Sequence, residues 1–292
     1  MDFKLATWGL GSFPEIEINE KQFQSLCQEN KVLKAAMAIE EKYELIISNY
    51  LELEKDSLSI SSSNMLRRSN NYSEFFDVRS TFNRRIVNLL TSTKLYLDSI
   101  YQHVKVCNLD LANIIKLKTN KEYDSVFEYR FMEALRNHVQ HYGLAVHLIK
   151  KNSSWIEHDD SRLLEFKTKI YTQKSDLEND KTFKKLILNE MPDKVELILS
   201  SRKYIGSISR IHECIRVNID CVVKSSRDLI ETTIKEYEDI NGGESTGLYA
   251  IKTINNDRVP LFLSWDDVRL ELIDKNPCIA NLENRYVSGK CI

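Results

Sequence analysis

Glycine and proline are scarce in this chain, eight and four among 292 residues. Both break helices, proline through its fixed φ and missing N–H and glycine through its backbone freedom. Their scarcity argues against a turn-rich chain and for long helices with few connections. An excess of one charge is also missing. The formal net charge is −2, so nothing in the overall balance advertises a nucleic-acid binder, and contact with a polyanion would need a local basic cleft. The six cysteines, at 27, 107, 214, 221, 278 and 291, form no Cys-x-x-Cys pair and match no zinc spacing. No uninterrupted apolar run is long enough to span a bilayer, and no basic start followed by an apolar run marks a secretory signal. A cytoplasmic protein with reduced thiols and no membrane partner is the expectation. Phosphate-cradling glycine loops, the Gly-x-Gly-x-x-Gly turn and the Gly-x-Ser-x-Gly elbow are absent, so nucleotide binding and serine-hydrolase chemistry have no support and no cofactor is expected.

What is present is mostly helical periodicity. Residues 1–17 read as an irregular arm. Ile18 to about Lys55 reads as one long helix with a stripe of Ile39, Tyr43, Ile46, Tyr50 and Leu53, and with Glu40, Glu41 and Lys42 on its solvated side. The Ser- and Asn-rich stretch 57–74, carrying Arg67 and Arg68, reads as a loop. Phe75 to Val106 is a second long helix, made locally basic by Arg79, Arg84, Arg85 and Lys94. A short helix at 108–117 and a break at Thr119-Asn120 lead into a third long helix reaching about Lys151. After a turn cluster at 152–160, Leu163–Thr172 alternates apolar and polar residues and predicts a strand. A short helix at 180–189 follows, and Pro192 opens a long helix from Asp193 to Ile240 with a break near Gly206. Asn241–Gly247 is the strongest boundary. Beyond it come a hairpin across Asn255-Asn256-Asp257, a short helix at 264–274 and an irregular end. The fold class expected is mainly α: a bundle of long helices with a minor β element over 1–240, and a small α+β C-terminal extension over 245–292.

The third helix carries the chemistry. Met132, Leu135, Val139, Tyr142, Val146 and Ile149 recur at steps of 3 and 4 and form its apolar stripe. Glu133, Arg136, Asn137, Gln140 and His141 fall on the opposite face. A guanidinium suits a phosphate, and an imidazole near neutrality can take and give a proton. Three of the six histidines, His138, His141 and His147, lie within ten residues. His138 and His141 also form a His-x-x-His pair with Glu133 eight residues away, but no further ligand has a matching spacing and no metal site is expected.

Arg136-Asn137-His138-Val139-Gln140-His141 resembles the signature of the HEPN superfamily: arginine, four to six residues, then histidine, often with a polar residue after the arginine. The resemblance implies a helical-bundle homodimer acting as a metal-independent endoribonuclease, a toxin or antiviral-defence effector with an antitoxin or other regulatory protein as partner. It makes Arg136, Asn137 and His141 the catalytic candidates: Arg136 on the scissile phosphate, His141 in acid–base work, Asn137 orienting one or the other. Arg84, Arg85 and Gln140 are then the candidates for binding RNA. Arg136 and His141 are about 140° apart on one helix, so a compact site needs two copies facing each other. The alternative is a non-catalytic helical protein that dimerises or binds a partner through this face.

Overall fold

The computed structural model describes residues 2–9, 13–67, 71–158, 161–285 and 287. Helix makes up 66% of it, beside two small sheets, so the mainly α class holds. In chain order the elements are β1 (Phe3–Thr7), β2 (Ile16–Glu17), α1 (Glu20–Leu66), α2 (Tyr72–Cys107), α3 (Leu111–Ser125) and α4 (Phe127–His141). There follow β3 (Leu148–His158), β4 (Ser161–Gln173), α5 (Lys174–Leu177), α6 (Lys185–Glu190), β5 (Lys194–Glu196) and α7 (Leu197–Ile240). β6 (Leu248–Lys252), β7 (Asp257–Pro260), α8 (Ser264–Lys275) and a 3₁₀ turn at Leu282–Asn284 complete the described chain. None of its helices is long and apolar enough to cross a membrane.

The chain divides into two compact units, each discontinuous in sequence. The first holds residues 1–42, 99–115 and 214–277. Its four-stranded sheet has the order β2-β1-β6-β7, so the arm read as irregular supplies two strands. Five residues of β1 pair antiparallel with β6 in the register Leu5↔Ala250. The sequence offered no period there because a five-residue strand is too short to establish one. The Asn241–Gly247 turn consequently lies inside this unit. Asn256, at φ 58°, makes the tight turn between β6 and β7, a conformation asparagine tolerates better than most residues. Glu40, expected in solvent, is 2% exposed. Arg216 clasps it through Nε at 3.0 Å and Nη2 at 2.6 Å.

The second unit holds residues 43–98, 116–213 and 278–292. Its core is aromatic and hydrogen-bonded. His212, fully buried, stacks on Tyr43 with ring centroids 3.7 Å apart, and its Nδ1 lies 2.9 Å from the Tyr96 hydroxyl. Helix α1 runs through Leu66 and overturns the loop expected at 57–66. Its serines stay helical because their hydroxyls have partners. Ser61 Oγ donates to Ser57 O and accepts Thr168 N–H, and Asn64 donates to the Thr168 hydroxyl. Arg67 is exposed just beyond the helix; Arg68, like residues 159 and 160 of the expected turn cluster and 286 and 288–292 of the irregular end, lies outside the described residues. Helix α7 passes through Gly206 without a break, and Lys194–Glu196, expected as its first turn, form β5.

The largest correction falls on the third helix. It is two helices and a strand. α3 ends at Ser125, and Arg130 folds back to donate Nη1 to the Tyr123 and Asp124 carbonyls, which a helix end otherwise leaves unsatisfied. α4 stops at His141, where the Tyr142 and Gly143 N–H groups both close onto the His138 carbonyl. The next residues cannot continue the helix, because Asn83 Oδ1 accepts the Ala145 and Val146 N–H groups and Thr172 Oγ1 donates to Ala145 O. Ile149 then pairs with Ile170 across an eleven-residue β3–β4 ladder. Val146 and Ile149 kept the helical spacing by coincidence.

Candidate functional site

Helix α4 buries Tyr129, Phe131, Met132, Ala134, Leu135 and His138. Glu133, expected on the polar face, is half-buried and accepts a hydrogen bond from the buried Tyr204 hydroxyl. Burial pushes that phenol well above its ordinary pKa, so it stays a donor. What remains on the outward face is Arg136, Asn137, Gln140 and His141. Arg136 is half-buried and donates Nη1 to Gln140 Oε1 at 2.7 Å. Its Nε is buried without a hydrogen-bond partner. Asn137 and His141, four residues apart on one track of the helix, are exposed. Neither carries a side-chain hydrogen bond among the described residues. The face therefore presents one guanidinium hydrogen-bonded to its helix neighbour Gln140, one free amide and one free imidazole.

The two arginines proposed to bind RNA differ. Arg85 is committed to α1, with Nε on Asp56 at 2.6 Å and Nη1 on Glu52. The Asp56 hydrogen bond raises its pKa further above the ordinary value. Its fork is filled by carboxylates rather than open to phosphate. Arg84 is exposed and unpaired among the described residues.

Beyond His141 the chain lines a cavity of about 460 Å³, with Arg79 and His138 among its walls. His138 is 2% exposed. Its Nδ1 lies 2.9 Å from Asp180 Oδ2, while the other Asp180 oxygen accepts the Thr182 N–H and hydroxyl. Burial draws the Asp180 carboxyl up, but the Thr182 and His138 hydrogen bonds outweigh it and hold its pKa below the usual value. Asp180 is thus ionised, His138 Nδ1 is the donor, and Nε2 is left for the cavity. His147 is different. The Gln173 N–H donates to its Nδ1, and its Nε2 can only donate to Leu144 O. Burial, ahead of all else, pushes its pKa down. With both nitrogens committed it offers no lone pair, and among the described residues no three His, Cys, Asp or Glu side chains are placed to hold a metal.

The depressed Asp180 pKa has a testable sign. An aspartate whose folded pKa lies below its unfolded value contributes stability above the unfolded pKa, and loses it as pH falls through the folded one. Between pH 7 and about 4 the contribution is complete, and below that it fades. Asp180→Asn is expected to lower stability at pH 7 and to flatten the acid limb of the stability curve below about pH 4, as read by urea unfolding at stepped pH.

A basic surface that no sequence motif marked lies on the β3–β4–β5 sheet. The register sets Lys150 directly opposite Lys169. Lys194, on β5, lies beside Lys150, which holds the Lys194 ammonium below its ordinary pKa. Its Nζ also sits 5.1 Å from the Tyr171 ring centroid. Like charges directly opposed on a sheet destabilise it. None of these three lysines makes an ion pair among the described residues, whereas Lys167 is paired with Glu165 at 2.7 Å. Six residues separate His141 from the start of β3. The chain matches no family model, no curated protein and no solved structure to which it was compared.

Proposed function

We propose that this protein is an endoribonuclease of the HEPN type, working in the cytoplasm as a homodimer. Arg136 holds the scissile phosphate, His141 moves the proton and Asn137 orients one of them. The 2′-hydroxyl of the substrate loses its proton and attacks the adjacent phosphorus, and the 5′-oxygen leaves with a proton, giving a 2′,3′-cyclic phosphate and a 5′-hydroxyl end. The nucleophile is already in place on the substrate, so positioning and proton transfer suffice. The observation that carries this reading is the outward face of α4. It keeps the Asn137 amide and the His141 imidazole exposed and unpartnered among the described residues, beside a guanidinium whose one side-chain hydrogen bond there is to Gln140, while Arg85, Arg202 and Arg210 in the same unit are paired with carboxylates. Because Arg136 and His141 diverge by about 140°, a compact site forms when the face meets its own copy across a two-fold axis.

The lysine face supplies the local basic surface that net charge does not. Exchanging Lys150 and Lys169 for glutamate is expected to weaken binding of single-stranded RNA. Each lost phosphate contact should reduce the salt dependence of log K by about 0.7, read by fluorescence anisotropy at several salt concentrations in the cleavage-dead His141→Ala background. Binding and slope unchanged would remove this sheet from the RNA path.

A non-catalytic association protein is favoured by one separate observation. Met65, Leu66, Tyr72 and Phe76 are exposed where α1 ends and α2 begins, from 52% to 81%, an apolar cluster of the kind that marks interaction sites. Purified protein that is dimeric, leaves RNA uncut and is harmless when overexpressed would select this reading. Growth arrest relieved by His141→Ala would select the nuclease.

A further inference from the structure

The cavity beyond α4 holds two polar groups that the nuclease reading does not use. Arg79 is anchored through Nε to the Val146 carbonyl at 3.0 Å. Its two terminal nitrogens make no hydrogen bond among the described residues, so a fixed fork faces the cavity. His138 is buried, locked at Nδ1 by Asp180, and open only at Nε2. A neutral ring accepts there. The hydroxyl of a protonated phosphate can donate to it. Nε2 is open because residue 143 is glycine: a Cβ at that position would stand 3.0 Å from it. Gly143 does not have a left-handed backbone, so its conformation alone does not require glycine.

Most of the other polar groups of the wall are engaged, while Asp176 Oδ1 and Asn179 Oδ1 carry no hydrogen bond among the described residues. Tyr142 donates its hydroxyl to Asn179 O at 2.9 Å, Asp176 accepts from Gln173 Nε2 at 3.0 Å, and His147 has both nitrogens in use. Among the described residues no three His, Cys, Asp or Glu side chains are placed to hold a metal. A planar guanidinium fork beside an imidazole backed by a carboxylate matches tetrahedral oxyanion chemistry instead. The volume suits a small ligand carrying such a group.

We propose that this cavity is a phosphate-binding site, in which the Arg79 fork and His138 Nε2 hold a phosphate group, free or carried by a mononucleotide. Arg79, His138, Asp180 and Gly143 are not members of the proposed catalytic set, so the site stands or falls independently of RNA cleavage.

The test is isothermal titration of the full chain with inorganic phosphate, adenosine 5′-monophosphate and adenosine. Saturable binding of phosphate or the monophosphate is expected, with adenosine at least about tenfold weaker than the monophosphate. Gly143→Ala, which sets a methyl against Nε2, should weaken binding at least about tenfold, the scale of one lost charge-assisted hydrogen bond. Arg79→Lys, which keeps the charge and loses the fork, should do the same and carries the test if Gly143→Ala does not fold. His141→Ala should leave the affinity unchanged. A monophosphate that outbinds phosphate identifies a nucleotide ligand, and equal affinities identify free phosphate. No binding of either, adenosine binding as well as its monophosphate, or affinity unchanged in folded Gly143→Ala or Arg79→Lys would overturn the proposal.

Discussion

Alanine at His141 is expected to cut RNA cleavage by a factor of about 10² to 10⁴, the usual contribution of a positioned acid or base, and to leave the unfolding midpoint unchanged. The two halves of this expectation have separate grounds. His141 is exposed at the last residue of α4 and makes no side-chain hydrogen bond among the described residues, so folding has nothing to lose. Its removal does take away the one free imidazole on the outward face of that helix. Arg136→Ala should act on cleavage in the same direction, with a small stability change at most, since its Nη1 bond to Gln140 is exposed. His138→Ala should behave oppositely. It leaves the outward face intact but strips Asp180 of a buried partner, so the loss falls on stability first. A cleavage assay and a melt on the same three proteins separate surface chemistry from structural support.

Glu40→Ala is expected to destabilise the protein by about 3–5 kcal/mol, the range for breaking a buried ion pair from one side. Glu40 is 2% exposed and takes two nitrogens of Arg216. Arg216 is also held through Nη1 by the Asn276 carbonyl at 2.9 Å, so its guanidinium stays in place when the carboxylate is removed. Replacing both residues by apolar ones, Glu40→Leu with Arg216→Met, should recover most of that loss, because the pair's attraction roughly balances its desolvation. Urea unfolding of the two single variants and the double variant reads the coupling. A Glu40→Ala cost below about 1 kcal/mol, the range of surface pairs, would mean that the carboxylate is solvated.

Glu40 also shows where reading the sequence reached its limit. A helical stripe places a residue relative to its own helix, and Glu40 adjoins Ile39 at the edge of one. What buries it is Arg216, 176 positions away, and no local pattern contains that distance. The same applies to Asp180, which completes His138 from 42 residues on, and to Lys150 and Lys169, whose opposition exists only once β3 and β4 are in register. Local signals did better. Phe82, Ile86, Leu89, Thr93, Leu97, Ile100 and Val104, spaced by 3 and 4, are buried along α2, the alternation at 163–172 is a strand, and the hairpin and helix after residue 247 form where turn residues marked them. Helix α4 lies between these cases. Arg136, Asn137, Gln140 and His141 were legible as an outward face because that face follows from 3.6 residues per turn. Its end was misplaced because Tyr142, Val146 and Ile149 keep the 3-and-4 spacing of the stripe. Gly143, two residues past the helix end, leaves room beside Nε2 of His138.

The most direct measurement is the chemistry of the cut ends. A defined RNA incubated with the purified protein in excess EDTA, and analysed by mass spectrometry, should yield fragments with 2′,3′-cyclic phosphate and 5′-hydroxyl ends. The same RNA should stay intact with His141→Ala. Fragments bearing 3′-hydroxyl and 5′-phosphate ends, or cleavage at full rate by His141→Ala, would contradict the assignment of the α4 face as half of a ribonuclease site.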